Sequence, residues 1–206
     1  MIGRVEAMAR MAETPLIADG DTGYGGLLNV RHTVRGYERA GAAAIQLEDQ
    51  EFPKKCGHTP DRRVIGADEM VRKIAVAVEA RTSPDFLIIA RTDARTSLGL
   101  MEAIRRARAY SEAGADMLFV ESPETEDEMV TIGRELGDKP LVANMVEGGR
   151  TPLLAPSAWP RSAMRSPSIR SPACSAPRRR WRRFTGRSLR RARRSAHPRR
   201  SIPSRR

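Results

Sequence analysis

Acidic side chains and lysine are missing from the last quarter of this 206-residue chain. Residues 155–206 hold 17 Arg and no Lys, Asp or Glu, whereas the whole chain carries a net charge of +12. Residues 1–154 therefore keep 20 basic against 25 acidic side chains, a net charge of −5. The isoelectric point near 11.0 describes the tail. It cannot be used to infer that the folded part binds nucleic acid. Cysteine is scarce: Cys56 and Cys174 make no disulfide framework. That fits a reducing, cytoplasmic setting. Aromatics are only 4% of the chain, which argues against a binder that stacks on single-stranded bases. No apolar run reaches the ~18–20 residues needed to span a bilayer, and the first residues lack the apolar core of a signal peptide. The length suits one domain, or part of a larger one.

What remains is an alternation. Short apolar runs at 16–19, 43–48, 87–91, 117–121 and 141–144 read as strands. Helical patterns lie between them at 30–40, 67–80, 98–113 and 124–136. Asn29 is a candidate N-cap for the first helix. Gly41, Gly114 and Gly137 stand where a left-handed residue would close three helices. Apolar strands separated by helices predict a parallel sheet covered by helices, an α/β fold.

Asp19, Glu48, Arg91, Glu121 and Asn144 follow the last apolar residue of the five runs. In a parallel β/α fold these ends point one way, so five polar groups would meet on one face, as in the active site of a β/α barrel. The plain alternative is that polar residues begin loops. Five strands do not close an eight-stranded barrel, which predicts an incomplete one. No glycine-rich nucleotide fingerprint follows a strand. GDTGYGG (20–26) has glycines, but no helix is expected directly behind it, and Asp19 and Asp21 flank its start. A phosphate cradle avoids such carboxylates.

Asp19 and Asp21 share a face if the backbone is extended, and Glu48 adds a third carboxylate. Three hard oxygen donors suit Mg²⁺ better than Zn²⁺; a solvated acidic loop is the other reading. Asp49 either joins them or faces away. Lys54-Lys55-Cys56-Gly57-His58 puts a thiol in an electropositive setting that favours thiolate, though a buried, inert cysteine would look the same. Gly57 allows close backbone approach to a ligand. Arg91 can clamp a carboxylate or an enolate oxygen, or simply pair with Glu121.

The segments ADGDTGYGG, LEDQ, PKKCGH, DFLIIARTDA, GADMLFVESPE and LVANMVEGGRTPLL occur in this order. Over about residues 5–154 the chain resembles the isocitrate lyase / phosphoenolpyruvate mutase superfamily. KKCGH looks like the lyase branch (isocitrate, 2-methylisocitrate and 2,3-dimethylmalate lyases). FVESPE and NMVEGGRTP look like methylisocitrate lyase-like or carboxyvinyl-carboxyphosphonate phosphorylmutase-like members. The resemblance implies a TIM-type β/α barrel that cleaves a carbon–carbon bond in a small 2-hydroxy di- or tricarboxylate. It implies Mg²⁺, with Mn²⁺ as the alternative ion, held by Asp19, Asp21 and Glu48. Arg91 would neutralise developing charge and Cys56 would protonate the carbanionic fragment. Gly57, His58, Glu121 and Asn144 would line the substrate pocket. Oxaloacetate decarboxylation and phosphonate mutation on the same scaffold are the alternatives. A homotetramer is implied for the full-length parent, with no membrane and no specific nucleic acid as partner.

The family pattern begins before Met1, with two βα units and a further metal-side Asp. After residue 154 it continues with a helix and an eighth strand, where this chain turns to Arg, Ser, Pro and Ala without periodicity. Residues 1–154 are thus expected to be a partial catalytic barrel, and 155–206 a disordered, out-of-frame tail. GC-rich codons for 157–175, read one base earlier, can give ERLAALGYAIAIYPVTGLL, which resembles the missing family segment. A basic-tailed nucleic-acid binder is the non-enzymatic alternative. Sequencing the locus separates the two. Open sheet edges expose apolar surface, and losing one strand's burial exceeds the ~5–15 kcal/mol margin of a domain. The chain as written is therefore expected to fold poorly or to be inactive. A cooperative melt with Mg²⁺-dependent turnover would refute that.

Overall fold

Side-chain alternation along the strands decides the architecture. In the computed structural model, which describes residues 1–56, 61–145, 151–152 and 169–170, five strands run parallel: β1 (Ile17–Asp19), β2 (Ala44–Glu48), β3 (Leu87–Thr92), β4 (Met117–Val120) and β5 (Leu141–Val142). Their spatial order is their chain order. Every connection thus steps one strand onward, as in a barrel, with no reversal of the doubly wound kind. Alternate residues Ala18, Ile45, Leu47, Ile88, Ala90, Leu118, Val120 and Leu141 pack under the helices. Their neighbours Ile17, Ala44, Leu87, Ile89, Met117, Phe119 and Val142 form a separate cluster on the other face. Both faces are apolar, so these strands show no polar alternation in sequence. A short parallel pair, β6 (Asn144–Met145) with β7 (Ile169–Arg170), follows.

The helices are α1 (Ile2–Met11), α2 (Leu27–Arg39), α3 (Ala67–Ala80), α4 (Ala94–Leu98), α5 (Leu100–Glu112) and α6 (Glu126–Leu136). Val34, Tyr37, Ile74, Ala77, Ile104, Tyr110 and Leu136 are their fully or nearly fully buried contributions to the core. Burying one large apolar side chain is worth about 1.5–3 kcal/mol. Asp68 and Glu69 occupy the first turn of α3, where negative charge suits the helix dipole. Thr125 caps α6 by accepting the Glu128 N–H at 3.1 Å.

Several expectations are corrected. Asn29 is not a cap: α2 begins at Leu27 behind Gly26, so a helix does start directly after GDTGYGG. Leu27 and Leu28 are exposed, so they gave no apolar period, and a glycine N-cap leaves no polar signature. The single helix expected over 98–113 is broken at Gly99, whose φ of 89° suits neither helix interior. Gly41 and Gly114 are left-handed as expected, but Gly137 is not, with φ −71°. Helix α1 was not expected at all. It packs Ile2 against Gly36 of α2, where a Cβ would meet Ile2 Cδ1 at 2.3 Å. Gly57, His58 and the tail from 155, apart from Ile169–Arg170, lie outside the described residues.

Candidate active site at the strand ends

The parity that puts Ile17, Ala44, Leu87 and Met117 on one face puts Asp19, Glu48, Arg91 and Glu121 on that face too, toward the strands' C-terminal ends. Arg91 stands between two of them. Its Nε lies 3.4 Å from Glu48 Oε2 and its Nη2 3.2 Å from Glu121 Oε2. Its guanidinium also lies over the Phe119 ring, 5.1 Å from the centroid. Of the two readings of Arg91, the pair with Glu121 is present, and it leaves the guanidinium at the strand ends. Asp93 is the partner the sequence reading missed. It accepts from Arg91 Nε at 2.9 Å and Nη2 at 3.0 Å, and from Arg62 Nη1 at 2.5 Å. Its backbone N–H donates to Asp49 Oδ1 at 2.8 Å.

Asp19 and Asp21 do come together, but not as extended neighbours. Asp19 ends β1, and Asp21 has a left-handed φ of 48°. The Asp21 N–H folds back onto Asp19 Oδ1 at 2.9 Å, an Asx turn. Asp21 O then accepts the Glu48 N–H at 2.9 Å, which ties the turn to the end of β2. Buried Lys73 of α3 holds the same turn, donating to Thr22 O at 3.2 Å.

Lys54 is the other group that sequence reading undervalued. Its ammonium pairs with Asp21 and lies 3.5 Å from Glu48 Oε1 and 3.9 Å from Asp19 Oδ2. Among the described residues no three His, Cys, Asp or Glu side chains stand as a ready metal cluster. The three expected ligands are instead gathered around this one cation. Both Glu48 oxygens are buried without a hydrogen-bond partner. Burial pushes the Glu48 carboxyl up to about 7, with Arg91 and Lys54 opposing and Asp93 and Asp19 adding to the rise. At full ionisation the linked ion pairs hold Asp19, Asp21, Glu48, Asp93 and Glu121 against Lys54, Arg62 and Arg91, a formal charge of −2. Hard oxygen donors, an orphaned carboxylate and a deficit of two positive charges fit a divalent cation such as Mg²⁺.

Asp49 faces away. It accepts from Thr92 Oγ1 at 2.7 Å, Tyr110 OH at 2.8 Å and Arg106 Nη1 at 3.2 Å, all on the helix side of the sheet. Burial pushes its carboxyl up, opposed by hydrogen bonds from the Asp93 N–H, Thr92 and Tyr110. Cys56 is a free, exposed thiol, not a buried inert one. Asn144 begins β6 one residue past β5 and is half-buried. Among the described residues, no hydrogen bond or ion pair links Cys56 or Asn144 to the Arg91 cluster.

The sequence profile of the phosphoenolpyruvate phosphomutase family matches residues 1–157. A 2,3-dimethylmalate lyase from Eubacterium barkeri is 56% identical over 154 residues, covering 75% of this chain and 53% of the relative. The solved structure of a 2,3-dimethylmalate lyase superposes with a TM-score of 0.76 at 37% identity, over 80% of this chain and 56% of the other. Phosphonopyruvate hydrolase, solved with oxalate and Mg²⁺, superposes with a TM-score of 0.61 at 41% identity, over 68% of this chain and 49% of the other. The chain spans about half the length of the curated relatives it matches.

Proposed function

Because the chain belongs to the phosphoenolpyruvate phosphomutase family, we propose that its strand-end site serves a carbon–carbon lyase that uses Mg²⁺. The substrate is a small 2-hydroxy di- or tricarboxylate of the 2,3-dimethylmalate or 2-methylisocitrate type, the compounds named in its relatives. The products are a 2-oxo acid and a second carboxylate. The observation that carries this reading is the cluster of Glu48, Arg91 and Glu121 at three adjacent strand ends, with Asp19 and Asp21 drawn to Glu48 through Lys54.

Asp19, Asp21 and Glu48 are the residues that would hold the ion. When bound, Mg²⁺ supplies positive charge to the oxygens of the 2-oxo acid that forms. Arg91, held in place by Asp93, offers fixed positive charge to a carboxylate or to the oxygens of the departing fragment. As the 2-hydroxyl gives its proton to solvent and its C–O bond becomes C=O, the bond beside the carboxylate breaks with its electron pair on the departing carbon. Cys56 delivers its S–H proton there, leaving a thiolate that solvent reprotonates. Gly57, His58, Glu121 and Asn144 are proposed to line the substrate. Residues 1–154 are proposed as the catalytic part, with 155–206 supplying no site residue. The family match stops at residue 157, which supports that division.

The test has two arms. Mn²⁺ binding, read by electron paramagnetic resonance, needs no turnover and is expected to weaken strongly in Glu48→Gln. Release of 2-oxo acid from 2,3-dimethylmalate with Mg²⁺ is then compared between the unaltered chain and Cys56→Ser. Full release of 2-oxo acid by Cys56→Ser would remove the proton-donor role of Cys56 and leave a lyase. Carbon dioxide release from oxaloacetate, with none of the lyase product from 2,3-dimethylmalate, would favour decarboxylation on this scaffold. Unchanged Mn²⁺ binding in Glu48→Gln would remove the metal assignment.

A further inference from the structure

We propose that Gln50 is a positioning residue that sets the Cys56 thiol and the Lys54 ammonium together, by clamping the main chain of the residue between them. The inference rests on the role given to Cys56 above.

Gln50 is 2% exposed. Its Oε1 accepts the Lys55 N–H at 3.0 Å, and its Nε2 donates to the Lys55 carbonyl at 3.0 Å. One carboxamide thus pairs with both main-chain groups of one residue, as a neighbouring strand would. Each peptide group is planar and includes the Cα atoms on both sides. The Lys55 N–H lies in the plane that contains the Cα of Lys54. The Lys55 carbonyl lies in the plane that contains the Cα of Cys56. Two hydrogen bonds therefore fix two consecutive peptide planes, and with them the roots of both flanking side chains. Among the described residues, no backbone–backbone hydrogen bond anchors positions 52–56, so the clamp does what a sheet ladder does elsewhere.

The base of the clamp is held firmly. Gln50 forms an antiparallel bridge with Val64. The Glu51 N–H donates to Arg63 O at 2.9 Å, and the Ile65 N–H donates to Asp49 O at 2.9 Å. Asp49, the preceding residue, is pinned by Thr92, Tyr110, Arg106 and the Asp93 N–H. The side chain has to be a carboxamide: a glutamate has no donor for the Lys55 carbonyl and would set one oxygen against another. Asparagine is one methylene short.

The experiment uses the full chain with Cys174→Ser, so that Cys56 is the only thiol. Its alkylation by iodoacetamide is followed against pH in this parent, in Gln50→Glu and in Gln50→Asn, beside circular-dichroism melts. The expected result is a change in alkylation rate of about threefold to tenfold in both variants, with an altered pH profile. A merely structural glutamine would move the melt and leave the thiol's rate and profile alone. Rates within about twofold of the parent's overturn the proposal. Hydrogen exchange at the Lys55 amide of the unaltered chain gives a second arm that does not depend on any variant folding. Protection of at least about tenfold is expected, and exchange at the free-peptide rate overturns the clamp. Neither arm needs turnover, so absence of lyase activity would count against the proposed function and leave the role of Gln50 untouched.

Discussion

Arg91 and Asp93, two residues apart at the end of β3, form a two-pronged ion pair with Nε–Oδ2 2.9 Å and Nη2–Oδ1 3.0 Å. The same carboxylate takes Arg62 Nη1 at 2.5 Å, and the Asp93 N–H is held by Asp49. Asp93 thus joins the strand-end guanidinium to the chain that returns from the Cys56 segment. An aspartate placed this way orients Arg91 and is shared as an ion-pair partner by two buried guanidinium groups.

Removing that charge should be costly. Asp93→Asn leaves Arg62 without its ion-pair partner, and Arg62 Nε already has no hydrogen-bond partner. Breaking a buried pair from one side costs about 3–5 kcal/mol. Urea denaturation is expected to show a loss of that size. A loss below about 1 kcal/mol would mean that the pair is solvated.

The Asp49 anchor gives a graded prediction. Tyr110→Phe removes one of its donors without adding a charge, so a loss of about 0.5–1.5 kcal/mol is expected. Asp49→Asn turns an NH₂ group toward donors and leaves Arg106 less compensated, so it is expected to cost more. Thermal melts of both variants check the order, and equal losses would contradict the hydrogen-bond pattern.

Asp19, Glu48, Arg91 and Glu121 were legible in the sequence because parallel strands share a direction and each of these residues ends an apolar run. The rule that paired Asp19 with Asp21 applies equally to Arg91 and Asp93, and there it would have found the ion pair. Arg62 and Lys54 were hidden because their partners lie on other strands. Asp49 could not be placed until the register of β2 showed which face Glu48 took. The start of α2 is not legible because its first turn exposes Leu27 and Leu28, and the break at Gly99 is not legible because nothing in the surrounding pattern marks its φ of 89°.

Lys54 pairs with the carboxylates proposed above to hold a divalent cation. Lys54→Met keeps a chain of similar length and removes the competing charge. The affinity for Mn²⁺ is expected to rise by roughly threefold to tenfold, a size set by a partly exposed ion pair. Isothermal calorimetry or paramagnetic resonance measures it. An affinity that falls would show that Lys54 helps to build the ion site and does not compete for it.

The pH dependence of stability can be traced to Glu102, which lies on α5 away from the strand ends. Arg105 donates to it at 2.7 Å twice and Arg106 at 2.9 Å. Hydrogen bonding from Arg105 is the main cause that holds the carboxyl at about 2, below its ordinary 4.5, with Arg106 adding to it. Its folded value lies below its unfolded value. The stability it contributes is therefore fully present above about 4.5 and is lost as the pH falls toward about 2. For one exposed and one partly buried pair on a helix the size is about 0.5–1 kcal/mol. Glu102→Gln should be less stable than the parent by that amount at neutral pH, and the gap should close as acid protonates Glu102 in the parent. Urea midpoints measured across this window decide the matter. A gap that stays constant in acid would assign the effect of Glu102 to packing and not to charge.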